Sequence, residues 1–89
     1  MAVIDPKTSY AGKAFYWFMV EHALSDVFRV SRDLHKDLRL EMDNASPEEQ
    51  LLFYHAEPLD VAADLAGQRP PTGAQVVAYR NVARQRKWP

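Results

Sequence analysis

Between Tyr10 and Met42 the apolar residues fall into two interleaved sets. One is Tyr16, Val20, Ala23, Val27, Val30 and Leu34. The other is Trp17, Leu24, Phe28, His35, Leu38 and Met42. Spacings of three, four and seven place each set on one side of a helix, and the two sides adjoin. Charged residues, among them Glu21, Asp26, Arg29, Arg32, Lys36 and Arg39, fill the gaps, and no proline interrupts the run. The pattern predicts one long helix over 10–42. Its stretch 14–20, Ala-Phe-Tyr-Trp-Phe-Met-Val, carries no charge and is apolar almost all round, so it is expected to be buried on several sides. A helix of 33 residues spans roughly 50 Å, whereas a compact domain of this length has a radius of gyration of about 12 Å. Such a helix overhangs the rest of the chain, breaks, or meets a second copy; a homodimer is the expectation.

Beyond Met42 the chain is punctuated by local signals. Ser46-Pro47-Glu48-Glu49 has a cap, a proline at the first helical position and a glutamate at the reciprocal capping position, and it opens a helix over 46–57. Pro58 forces Glu57 out of helical geometry. A short helix over 58–66 follows, with Leu59, Ala62 and Leu65 on one face and Val61 beside them; Gly67 suits its C-terminal stop. After Gln68-Arg69-Pro70-Pro71, an extended linker, Thr72-Gly73-Ala74-Gln75 forms a second capping box. The last helix, over 73–87, has Val76, Tyr79 and Ala83 on one side and Val82 alongside. Trp88 is expected to fold back on the core. At the other end, residues 1–9 read as an arm, with Asp5-Pro6 and Ser9 as competing caps. No run alternates apolar and polar residues between turn signals. The fold class is therefore all-α: a single domain, 1–89, forming a small helical bundle of about four helices organised around one long N-terminal helix.

Charge changes this picture more than composition does. The net charge is −1, but residues 1–40 sum to +1, residues 41–66 to −7 and residues 67–89 to +5. An acidic middle and a basic end can pair within the chain, pair across a dimer, or face separate partners. There is no cysteine, which removes disulfides and thiolate chemistry. The start lacks the basic and apolar regions of a signal peptide. The uncharged run at 14–20 is far short of a membrane span. A soluble, cytoplasmic protein is expected, with no membrane partner.

Candidate chemistry is sparse. His22 and Asp26 lie one helical turn apart, but no His-Glu-x-x-His occurs and no glutamate stands three residues before a histidine, so no metal site is expected. The histidines at 22 and 35 fit partly buried helix interfaces with one hydrogen bond each, and His55 fits a packing role. The serines lack a neighbouring base or a glycine-rich elbow, and three glycines make no phosphate loop. Neither enzyme activity nor a cofactor is expected. What remains is protein–protein contact through a helical apolar surface, as an adaptor, inhibitor or modulator. Tyr16, Trp17, Val20, Leu24 and Phe28 are the candidate contact residues, because large apolar anchors dominate interfaces as they dominate cores. The alternative is a helix-turn-helix-like regulator that contacts nucleic acid through Arg80, Arg84, Arg86 and Lys87. Against it, the segment 67–72 is longer than the usual three- or four-residue turn.

The run Ser46-Pro47-Glu48-Glu49, then Phe53-Tyr54, then Ala56 is similar to the third-helix motif of the Hha group of small nucleoid-associated modulators. That resemblance implies an all-α protein acting by binding another regulator. It covers about a dozen residues, and the arginine-rich end and the uninterrupted first helix depart from the group's pattern.

Overall fold

The computed structural model describes residues 8–86. Among them are five α-helices and no strand: α1 Tyr10–His22, α2 Lys36–Asp43, α3 Pro47–His55, α4 Pro58–Ala66 and α5 Gly73–Gln85. The all-α expectation holds. The local punctuation appears where the residues placed it. The Ser9 hydroxyl accepts from the Gly12 amide at 3.1 Å and caps α1. Ser46 accepts from the Glu49 amide at 3.3 Å, and Pro47 takes the first position of α3. Pro58 opens α4. Gly67 closes it in the left-handed conformation (φ 68°), with the Gln68 amide reaching back to the Ala63 carbonyl at 3.0 Å, the bond that ends a helix in this way. Thr72 and Gln75 exchange both bonds of a capping box, at 2.8 and 3.2 Å. Asp5-Pro6, Lys87 and Trp88 lie outside the described residues.

The single helix over 10–42 is not found. After His22 the backbone widens into a π turn, Ala23–Val27. The Phe28 amide bonds to the Ala23 carbonyl at 2.8 Å and the Val30 amide to the Leu24 carbonyl at 2.7 Å. Arg29, at φ 57°, occupies the left-handed position that usually belongs to glycine. Ser31 then accepts from the Asp33 amide at 3.2 Å and starts a 3-10 turn, Arg32–His35, that runs into α2. The physical reason is tertiary. A straight helix would leave Phe28, His35, Leu38 and Met42 without cover; turned back, Phe28, His35 and Met42 are buried. The chain measures 43 × 27 × 18 Å, with a radius of gyration of 13.0 Å.

The core is built on α1. Tyr16, Met19, Val20, Ala23 and Leu24 are almost wholly buried, together with Tyr54, Ala62, Ala63 and Tyr79 from the later helices. Edge-on ring contacts join α1 to α3: the centroids of Tyr16 and Tyr54 are 5.0 Å apart at 82°, and those of Trp17 and Tyr54 6.4 Å at 89°, an orientation aromatic quadrupoles favour. The Trp17 indole N–H donates to the Tyr54 hydroxyl at 3.0 Å, so these two polar groups satisfy each other inside the core.

Candidate functional site

The five residues expected to meet a partner are core residues. Tyr16 and Val20 are 0% exposed, Leu24 0%, Trp17 2% and Phe28 5%. A partner cannot touch them while the chain is folded. The broad apolar face that suggested an interface is the face onto which α2, α3 and α4 close. The basic residues fare differently. Arg80 and Arg84 are exposed on α5. Arg86 lies over the ring of Phe18, 4.5 Å from its centroid, a cation–π contact that ties the end of α5 to α1. Among the described residues the one ion pair between the acidic and basic blocks is Arg69 with Asp64, at 2.9 and 3.0 Å to the two carboxylate oxygens. Among the described residues Arg80 and Arg84 form no ion pair with Glu48, Glu49 or Asp60.

Of the large apolar side chains that face outward, Leu34 (45% exposed) belongs to the first apolar set, whereas four others were not singled out by the sequence pattern. Leu52 is 77% exposed and Leu51 42% on α3, Leu40 62% on α2 and Val77 59% on α5. Helix α3 explains the first two. Gln50, Phe53 and Tyr54 share one side of it, three and four residues apart, and that side is pinned. The Gln50 amide donates to the carbonyls of Met42 at 2.9 Å and Ala45 at 3.3 Å, and its oxygen accepts from Lys13 at 2.8 Å. With that side fixed inward, Glu48, Leu51 and Leu52 must point out, and Glu49, also exposed, flanks them. His55 is likewise exposed on α3. The signal was present as two spacings within one run, 50–53–54 and 48–51–52. Both have helical rhythm, so spacing alone does not say which one faces the core.

A groove of about 490 Å³ lies between α1 and α2. Its floor is His35, 3% exposed, whose Nε2 stands 3.0 Å from a Glu21 carboxylate oxygen. A carboxylate only accepts, so that nitrogen carries a proton. The imidazole stacks on Trp17 with centroids 5.5 Å apart, and the Arg39 guanidinium covers the same indole at 5.9 Å. Around the rim, Lys36 pairs with Asp33 at 2.9 Å, which holds the exposed Asp33 carboxyl below its usual range. Arg32 and Asp43 complete a wall in which acids and bases balance. A carboxylate-oriented imidazole is a proton-transfer element. Here, however, the lining holds no serine, threonine or tyrosine for it to activate. The pair buckles the returning segment to α1. His22 and Asp26 bond each other directly at 2.9 Å across the π turn, and among the described residues no group of three potential ligands converges on a metal position.

Burial raises the pKa of three core phenols. Tyr16 is pushed well above its ordinary value by desolvation, and by the negative charge that Tyr54, Glu57 and Asp60 would oppose to it. Tyr79 is raised by burial and by Glu57, to which it is hydrogen-bonded. Tyr54 is raised by burial, against the Trp17 hydrogen bond that favours its anion. These groups are neutral structural hydroxyls, not acids poised for chemistry near neutral pH.

No helix among the described residues is long and apolar enough to cross a membrane. No protein-family model, curated protein or solved structure matches the chain, so the likeness to the Hha group rests on its dozen residues alone.

Proposed function

We propose that this protein is a small, cytoplasmic protein–protein interaction module that works without catalysis or cofactor, and that its contact surface is the outward side of α3. The observation that carries the reading is the exposed pair Leu51 and Leu52, displayed by a helix whose opposite side is locked by Gln50 and Tyr54. Adjacent leucines on a pinned helix offer a rigid apolar ridge, which costs little ordering entropy on binding. The neighbouring glutamates form the polar rim that surrounds such anchors. A modulator that acts by occupying a partner needs nothing more.

The experiment is affinity capture from the native host with the parent chain and with Leu52→Glu, each followed by mass spectrometry. Leu52 is exposed, so its replacement should leave stability within about 0.5 kcal/mol of the parent. The reading expects the same fold with loss of the principal partner. An identical set of captured proteins would refute the assignment of the surface.

One observation favours the nucleic-acid reading: Arg80 and Arg84 are exposed on α5 and no carboxylate among the described residues pairs with them. Against it, α5 packs chiefly on the π turn at Ala23–Val27, not on α4 as the second helix of a helix-turn-helix would. The chain also carries a net negative charge.

A further inference from the structure

We infer that the occupant of the α3 surface is a second copy of this chain, which lays the outward side of its α5 against Leu51 and Leu52. The inference rests on the proposed contact surface and goes on to name what covers it. Three observations carry it. First, the two surfaces are complementary in charge. Glu48 and Glu49 flank the leucine pair, and the adjoining α2 exposes Glu41 and Asp43 in its second half, its exposed bases Lys36 and Arg39 standing in its first half. On α5, Val77, Arg80 and Arg84 stand three and four residues apart on one side, all exposed, and no acid occurs anywhere in 67–89. Second, they are complementary in polarity. Each places large exposed aliphatic groups (Leu51 at 42% and Leu52 at 77%, against Val77 at 59%) beside charges of one sign. Third, the chain does not satisfy these charges itself. The acidic and basic blocks meet within one copy only at Asp64 and Arg69 among the described residues. Charges of opposite sign left apart in one chain remain available between chains, where they steer encounter and select register.

Size argues for two such contacts rather than one. Helix α3 has 9 residues, so it is roughly 13 Å long. One helix-on-helix contact of that length covers less than the roughly 800 Å² a side of a stable interface. In a dimer with twofold symmetry each copy contributes both surfaces, so α3 meets the partner's α5 twice.

The test is sedimentation equilibrium on three chains: the parent, a base-reversed chain (Arg80→Glu with Arg84→Glu) and an acid-reversed chain (Glu48→Lys with Glu49→Lys). The parent should dimerise, with a dissociation constant that rises several-fold as salt shortens the Debye length from about 30 to about 3 Å. Each reversed chain alone sets like charges opposite one another and should dissociate at least about tenfold more readily. An equimolar mixture of the two restores opposite signs at both contacts and should recover dimers. Reversing Glu48 and Glu49 also opposes the α3 helix dipole. A second measurement therefore uses the parent alone: amide resonances of residues 48–52 and 77–84 should shift together as its concentration rises. A parent that stays monomeric to millimolar concentration would overturn the inference but leave the α3 surface standing for another partner. A dimer that Leu52→Glu leaves intact would overturn the inference, and an unchanged set of captured proteins with the same variant would overturn the contact surface on which it rests. A dimer broken by Leu52→Glu but indifferent to the charge reversals would overturn the α5 assignment alone. A monomer whose Arg80 and Arg84 resonances respond to duplex DNA at about 150 mM salt would also overturn it and give α5 to nucleic acid.

Discussion

Tyr54→Phe removes one oxygen atom and no volume that packing depends on, so it isolates the polar term in this core. The Trp17 indole N–H donates to that oxygen at 3.0 Å. The donor residue is 2% exposed and the acceptor residue 0%, so water cannot replace the lost partner. A buried donor left without an acceptor costs about 1–3 kcal/mol. In a domain of this size each kcal/mol moves the melting temperature by about 4–8 °C, so a fall of roughly 10 °C is the central expectation. Urea denaturation followed by circular dichroism gives the free energy directly. The midpoint should fall while the slope with denaturant stays unchanged, since the surface exposed on unfolding is the same. Trp17→Phe should cost more, because it also removes indole volume from a packed site. The double variant should cost less than the sum of the two, with a coupling of about 0.5–3 kcal/mol. If Tyr54→Phe lies within about 0.5 kcal/mol of the parent, the indole is not bonded as described and the aromatic centre is held by packing alone.

Four further outcomes follow from the geometry. Tyr16, Tyr54 and Tyr79 all ionise later in the folded chain than in the unfolded one, chiefly through burial. Their contribution is therefore complete below the unfolded value of about 10 and is lost as pH rises above it, at about 1.4 kcal/mol per pH unit for each phenol; phenolate absorbance and helix loss should coincide, and phenols titrating near 10 in an intact helix would contradict this. Arg29→Gly should be neutral to stabilising by about 1 kcal/mol, because glycine relieves the φ of 57° while gaining freedom in the unfolded chain; Arg29→Val should destabilise in the same denaturant melts. Ser46→Ala and Thr72→Ala, which remove acceptors for the Glu49 and Gln75 amides, should each cost about 1 kcal/mol by urea denaturation. Glu21→Gln weakens the pair that joins α1 to His35 and should raise amide hydrogen exchange across 32–43 before it changes exchange in α1.

The helix limits after Met42 were legible because each rests on residues within a few positions. Ser46-Pro47, Pro58, Gly67 and the Thr72–Gln75 box fix their own backbone geometry whatever surrounds them. The break at 28–31 was not legible in the same way. Arg29 is an ordinary helix residue, and it takes a left-handed conformation only because Phe28, His35 and Met42 find cover when the chain turns back. Ser31, two residues before Asp33, and the β-branched Val27 and Val30 are weak local hints of it. The same return explains the misplaced contact surface. Tyr16, Trp17, Val20, Leu24 and Phe28 were rightly read as the chain's largest apolar face, but amount of apolar surface does not say whether it is covered from inside or outside. Leu51 and Leu52 stand in one apolar run with Phe53 and Tyr54. Gln50, bonded to Met42, Ala45 and Lys13, is what turns one pair in and leaves the other out.

The central claim is that the outward side of α3 is the surface through which this protein acts. Its most direct measurement replaces Leu52, and in a control chain the exposed Asp37 on α2, with a photo-crosslinking amino acid and irradiates each in the native host. The account predicts crosslinked species from position 52 that are absent from position 37, with crosslinked peptides drawn from residues 73–86 of a second copy. Equal yields from the two positions, or none from position 52, would contradict it.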